Sequence, residues 1–161
     1  MENVVKVGMA DLKVAKAPQK LLTSGLGSCV GICLYDAVVK VGGMAHIMLP
    51  DSTLARGTTN LAKFADTAIP ELLQRMQLMG AVRSRIVAKI AGGAQMFAFA
   101  ASNEIMRVGE RNVQAVVAKL QELKIPILAN NTGGNYGRTI EFDTSDGQLH
   151  IRTLDKGETI S

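Results

Sequence analysis

The chain is predicted to fold as a mixed α/β domain of the α+β kind, on three observations. Short apolar stretches, several of them alternating and most closed by glycine, proline or aspartate, crowd residues 4–49 and 125–154. Two segments between and beside them switch to helical spacing. The strands follow one another through tight turns rather than alternating one by one with helices, which argues against a simple doubly wound sheet. At 161 residues, a single domain spanning residues 1–161 is expected.

The elements follow in order. Val4 to Ala15 reads as strand with a turn near Ala10-Asp11, Val5, Val7 and Met9 sharing one parity. Lys20 to Thr23 reads as a short strand running into Gly25-Leu26-Gly27-Ser28, and Cys29 to Tyr35 as an apolar strand ending at Asp36. Val38 to Leu49 is expected to form two short extended pieces around Gly42-Gly43, closed by Pro50 and Asp51. After Gly57 the pattern becomes helical. Leu61, Phe64, Ala65, Ala68, Ile69, Leu72, Leu73 and Met76 share a face, with Thr59 or Asn60 as N-cap and a kink or restart at Pro70. Arg85 to Ile90 is strand before Gly92-Gly93, and Arg111 to Lys124 is a second helix presenting Val113, Val116, Val117, Leu120 and Leu123. Ile125 to Ala129 is strand, and Arg138 to Asp143 pairs with Leu149 to Leu154 across Ser145-Asp146-Gly147.

Composition narrows the function classes. With 47% hydrophobic and 20% charged residues the chain is globular rather than disordered. No apolar run reaches the roughly 20 residues that span a bilayer. Met1-Glu2-Asn3 lacks the basic head of a signal peptide, so a cytoplasmic protein without membrane insertion is expected. The net charge of +4 comes from 18 basic and 14 acidic residues spread along the chain, with four Phe, two Tyr and no Trp. That argues against nucleic acid as a partner and is compatible with a moderate attraction for acidic protein surfaces.

Chemistry concentrates at Thr23-Ser24-Gly25-Leu26-Gly27-Ser28-Cys29. Two glycines allow a tight turn and close ligand approach. A cysteine opening a strand after such a turn presents its sulfur in a cleft, with the backbone N–H groups of Gly27, Ser28 and Cys29 available to a developing oxyanion. His46 shares a strand face with Met44 and Met48 and can take the thiol proton. Thr23 can accept a hydrogen bond from the other imidazole nitrogen and hold the useful tautomer. Each residue alone has a bland reading: a cysteine in an apolar strand is more often core, a histidine between methionines more often a satisfied core histidine, and a threonine in a strand unremarked. The combination, with glycines directly before the cysteine, raises the catalytic reading. Cys33 is read as structural.

A zinc site drawn from Cys29, Cys33, His46 and His150 competes. Along a strand, however, Cys29 and Cys33 stand about 13 Å apart at roughly 3.3 Å per residue. That spreads rather than converges the sulfurs and also excludes a mutual disulfide. Gly25-Leu26-Gly27 lacks the third glycine of a dinucleotide fingerprint, and no Gly-Lys-Ser/Thr follows, so tight turns are the better reading there.

Several motifs in one order resemble the chemoreceptor glutamine deamidase family, CheD. They are Leu26-Gly27-Ser28-Cys29-Val30, Gly42-Gly43-Met44-Ala45-His46-Ile47-Met48-Leu49-Pro50, Lys63-Phe64-Ala65-Asp66, Lys89-Ile90-Ala91-Gly92-Gly93-Ala94-Gln95-Met96-Phe97, Gly109-Glu110-Arg111-Asn112 and Thr132-Gly133-Gly134-Asn135-Tyr136-Gly137-Arg138. The resemblance implies a cysteine hydrolase in which Cys29, His46 and Thr23 match the catalytic cysteine, histidine and threonine. It implies a mixed β-sandwich with helices outside, similar to the catalytic domain of cytotoxic necrotizing factor toxins, and a reaction without metal or organic cofactor. The implied substrates are glutamines of methyl-accepting chemotaxis receptors, and a CheC-type phosphatase of CheY is an implied partner. The rival expectation is a regulator that binds these partners without turnover. Asn131 is one departure, standing before Thr-Gly-Gly where the family pattern often has an acidic residue. Gly133 to Arg138 is expected to line the cleft or to be an ordinary loop, and Arg111-Asn112 to open the second helix.

Overall fold

The computed structural model describes residues 3–54, 60–95, 107–154 and 157–161. The expected Thr59 cap and the Met96-Phe97 end of one motif lie outside these. Ten strands are described: β1 (Val4–Lys6), β2 (Asp11–Lys16), β3 (Lys20–Leu26), β4 (Val30–Asp36), β5 (Val41–Ile47), β6 (Val87–Gly92), β7 (Ile127–Thr132), β8 (Arg138–Asp143), β9 (Gln148–Thr153) and β10 (Gly157–Ile160). The two helices are α1 (Ala65–Leu78) and α2 (Val108–Glu122). One sheet has the order β1-β3-β8-β9-β10 and the other β2-β5-β4-β6-β7. All pairs are antiparallel except β1 with β3 and β6 with β7.

The molecule has three layers because the second sheet is apolar on both faces. Every residue of β4 and β5 is buried. Strand periodicity sends Val30, Ile32, Leu34, Ala45 and Ile47 toward Ala68, Ile69, Leu72 and Met76 of α1 and Val116 and Leu120 of α2. The alternate residues Cys29, Cys33, Tyr35 and Met44 meet Leu21, Leu26, Ile140, Phe142, Leu149 and Ile151 of the first sheet. This is the mixed sandwich with outer helices that the sequence led us to expect. Among the described residues no helix is long and apolar enough to cross a membrane.

Several local expectations change. The N-terminal stretch divides into β1 and β2, which belong to different sheets; between them Ala10 has φ +56° and Asp11 accepts from the Gly8 N–H at 3.1 Å. Residues 41–47 form one strand through Gly42-Gly43 rather than two pieces, since these glycines are needed for contact and not for turning. A Cβ on Gly42 would lie 3.1 Å from Phe142 on the first sheet, and one on Gly43 2.7 Å from Leu72 of α1. Asn60 caps a short 3-10 turn, Leu61–Lys63, and α1 begins only at Ala65. It continues through Pro70 without restarting, held to the sheet by six buried side chains. The strand β6 starts at Val87, after a 3-10 turn at Arg83–Arg85. The helix α2 starts at Val108, ahead of Arg111, and β10 was not anticipated, all four of its residues being exposed.

The contact at Gly43 makes a direct prediction. Gly43→Val is expected to lower stability by about 1–3 kcal/mol through overpacking, seen as a loss of several degrees in Tm. An unchanged melting temperature would show that α1 is not seated as described.

Candidate active site

The site is assembled where the two sheets face each other. In the β4–β5 pair Gly31 stands opposite His46. Cys29, two residues before Gly31, keeps the same strand parity and is 8% exposed on the inner face of the sandwich. It is therefore a diagonal neighbour of His46, a relation that places Cα atoms about 7–8 Å apart, and no hydrogen bond joins the two side chains. Gly31 lets the first sheet pack close beside them, for a Cβ there would lie 2.6 Å from Ile140 Cδ1.

From the first sheet, β3 supplies Thr23. Its pairing with β8 shifts between Thr23 and Leu26, three steps along β3 against two along β8. The bulge lets both Thr23 and Leu26 point inward, whereas strict alternation would turn one of them out. Thr23 is 2% exposed and its Oγ1 lies 2.6 Å from the Val7 carbonyl and 2.8 Å from His46 Nδ1.

These two contacts settle the tautomer. A hydroxyl has one proton, and the Val7 carbonyl can only accept it. Oγ1 must then accept from His46, so Nδ1 carries the ring hydrogen and Nε2 presents a lone pair. Nε2 is buried and has no hydrogen-bond partner among the described residues. Such an orphan acceptor in a buried ring is what a proton-accepting base requires. Burial pushes the Cys29 thiol above the ordinary cysteine range and the His46 imidazolium below its ordinary value. The resting pair is accordingly neutral thiol and neutral imidazole near pH 7.

The loop ahead of Cys29 is held from several sides. Gly25 has φ +73°, and the Gly27 N–H bonds back to the Gly25 carbonyl at 3.0 Å. The Gly27 carbonyl accepts from Ala94 and the Cys29 carbonyl from Gly93, both at 2.8 Å. The backbone of Cys29 comes so close to Gly92 that a Cβ on Gly92 would collide with the Cys29 carbonyl. The Gly27 N–H is thus engaged, whereas neither the Ser28 nor the Cys29 N–H meets an acceptor among the described residues. The Ser28 carbonyl is bound instead by Asn112, a buried α2 residue that the sequence reading passed over as part of a helix start.

Residues 133–138 line two clefts, neither of which is lined by Thr23, Cys29 or His46. Gly133 and Gly134 line one of about 420 Å³ with Gln95 and Glu110, and Tyr136 and Arg138 one of about 510 Å³ with Gly25 and Arg152. Arg138 stacks 4.5 Å from the Tyr136 ring and donates to Asn131 Oδ1 at 3.0 Å. A carboxylate at position 131 would turn that contact into an ion pair, so Asn131 leaves the arginine without a charged partner there.

The remaining candidates separate. Cys33 is buried in the same core, and burial drives its thiol far upward. His150 stands opposite Glu141 in the β8–β9 pair, while the neighbouring Leu149 and Ile151 face the core. It therefore projects from the outer face of the first sheet, away from both cysteines. The two cysteines are free.

Comparison with known proteins bears on the whole chain. Residues 48–153 match the family model described as CheD chemotactic sensory transduction. That stretch lies beyond Thr23, Cys29 and His46, so the match does not rest on them. A probable chemoreceptor glutamine deamidase CheD of Lachnoclostridium phytofermentans is 58% identical over 156 residues, 97% of both chains. The chemoreceptor glutamine deamidase CheD of Halalkalibacterium halodurans is 58% identical over 159 residues, 98% of each, and a probable one of Syntrophomonas wolfei 54% over 160 residues, 99% of each.

The tautomer can be observed directly. Long-range ¹H–¹⁵N spectra at neutral pH should show His46 protonated at Nδ1, with a titration midpoint below the ordinary imidazole value of about 6.5. A proton on Nε2 would contradict the Thr23 arrangement.

Proposed function

The chain belongs to the CheD family, and from that premise we propose that it deamidates glutamine side chains of methyl-accepting chemotaxis receptors, releasing ammonia and leaving glutamate. It is an amidohydrolase of protein glutamine, acting in chemotaxis. The observation that carries the mechanism is the Thr23 hydroxyl, which donates to Val7 and so leaves His46 with its lone pair on Nε2, buried and without a partner among the described residues.

Cys29 is the nucleophile and His46 its base. As Sγ bonds to the amide carbon, its proton moves to Nε2 and the carbonyl oxygen becomes an oxyanion facing the Cys29 N–H. Collapse of this intermediate breaks the C–N bond, and the Nε2 proton leaves with ammonia. A water then gives a proton to Nε2 while its oxygen attacks the thioester. Breaking the C–S bond returns the proton to sulfur and frees glutamate. Thr23 holds the ring through both halves. Every proton is carried by His46, and the cycle requires neither metal nor organic cofactor.

Because thiol and imidazole are both neutral at rest, charge develops only as substrate is attacked. The cytoplasm suits two free thiols and receptor domains that reach into it. A CheC-type phosphatase of CheY is proposed as a further partner on the family resemblance, and that binding role is compatible with turnover.

Incubating a chemoreceptor cytoplasmic fragment with the protein should raise a glutamine peptide by about one mass unit, and Cys29→Ala should abolish the change. No change across several fragments that the protein binds would favour a regulator without turnover. The pH dependence has a defined sign. His46 must be unprotonated and its pKa is lowered, so the acid limb of kcat/KM should have its midpoint below about pH 6.5. An acid limb centred above that value would oppose His46 as the base.

A further inference from the structure

We propose that Asn112 is a positioning residue for deamidation: from α2 it fixes the Ser28–Cys29 peptide so that the Cys29 N–H faces the developing oxyanion. This rests on the deamidase reading above. Asn112 is fully buried, and its Nδ2 donates to the Ser28 carbonyl at 2.9 Å and to the Met48 carbonyl at 3.0 Å. Both partners can only accept, so the nitrogen of the amide must face them; the flipped rotamer would set oxygen against two oxygens.

A trans peptide is planar, with its carbonyl and N–H pointing in opposite directions. Anchoring the Ser28 carbonyl therefore aims the Cys29 N–H away from α2. The hydrogen bond also polarises that peptide and strengthens its N–H as a donor. The bond to Met48, two residues beyond His46, ties the base strand to the same side chain. One amide thus fastens both segments that carry the nucleophile and the base.

The helix beneath has little room to drift. A Cβ on Gly109 would strike the Ala94 carbonyl, and one on Gly93 would strike Val113. The first turn of α2 is seated backbone against backbone on the strand end that holds Cys29. Asn112 Oδ1 is buried without a partner among the described residues. The residue thus leaves an acceptor unpaired while supplying two donors, a cost that placement of the loop accounts for.

The test separates aiming an oxyanion donor from merely supporting the fold. Asn112→Ala and Asn112→Ser are compared with wild type in three measurements: deamidation of a chemoreceptor cytoplasmic fragment, alkylation of Cys29 by iodoacetamide, and thermal melting. Alkylation displaces iodide from carbon and forms no oxyanion, so it reports thiol and base but not the donor. Asn112→Ala is expected to lower kcat about 10- to 100-fold, with KM and the alkylation rate and its pH profile within about twofold of wild type. Asn112→Ser, which keeps a hydroxyl donor, is expected to lose less, and it carries the test alone if the alanine variant does not fold. Parallel loss of alkylation and deamidation, or deamidation at the wild-type rate, would overturn the assignment alone. A wild-type protein that leaves every fragment unmodified would overturn the deamidase reading and this assignment with it.

Discussion

The hydrogen bond from His46 Nδ1 to Thr23 Oγ1 joins the two sheets at the point where chemistry is proposed. It exists only because three unrelated constraints meet there. The bulge in β3 turns Thr23 inward, Gly31 lets Ile140 of the first sheet pack against β4, and the Val7 carbonyl takes the hydroxyl proton. Change any of these and the imidazole loses either its partner or its tautomer. A hydroxyl here performs the orienting task that a carboxylate performs in other triads, but it brings no charge to hold an imidazolium. That agrees with the electrostatics: burial lowers the His46 pKa and raises that of Cys29, favouring a neutral pair.

Glycine is the second recurring device, and it serves proximity more than flexibility. Gly42 and Gly43 let the central strand β5 lie against the first sheet on one face and α1 on the other. Gly93 and Gly109 bring α2 against the end of β6, and Gly92 admits the Cys29 carbonyl. Side chains at these positions would lift the layers apart and withdraw Asn112 from Ser28 and Met48. Close backbone packing here converts a loop, normally the mobile part of a fold, into a braced platform.

The physical patterns legible in the sequence were those that repeat locally. Period-two and period-3.6 alternation marked most strands and both helices, and the Gly25 to Cys29 turn beside an apolar strand marked the candidate nucleophile. The misreadings share one cause. Gly42-Gly43 looked like a break and is the middle of a strand, because a glycine chosen for interlayer contact carries the same letter as one chosen for a turn. Val4 to Ala15 looked like one strand pair and feeds two sheets, because assignment to a sheet depends on partners far away in the chain. Pro70 suggested a kink or a restart, yet α1 runs on across it with six buried side chains against the sheet.

By itself the sequence determined the fold class, the free-thiol chemistry of Cys29 and the candidacy of His46 and Thr23, since these follow from residue type and short-range spacing. Only the tertiary structure decided which way the imidazole is protonated and that Asn112 reaches the loop ahead of Cys29. Those outcomes depend on atoms brought together from residues 7, 23, 28, 46, 48 and 112, and on there being one proton for two neighbours. No local pattern encodes such an allocation, because it exists only when the sheets and α2 are in contact.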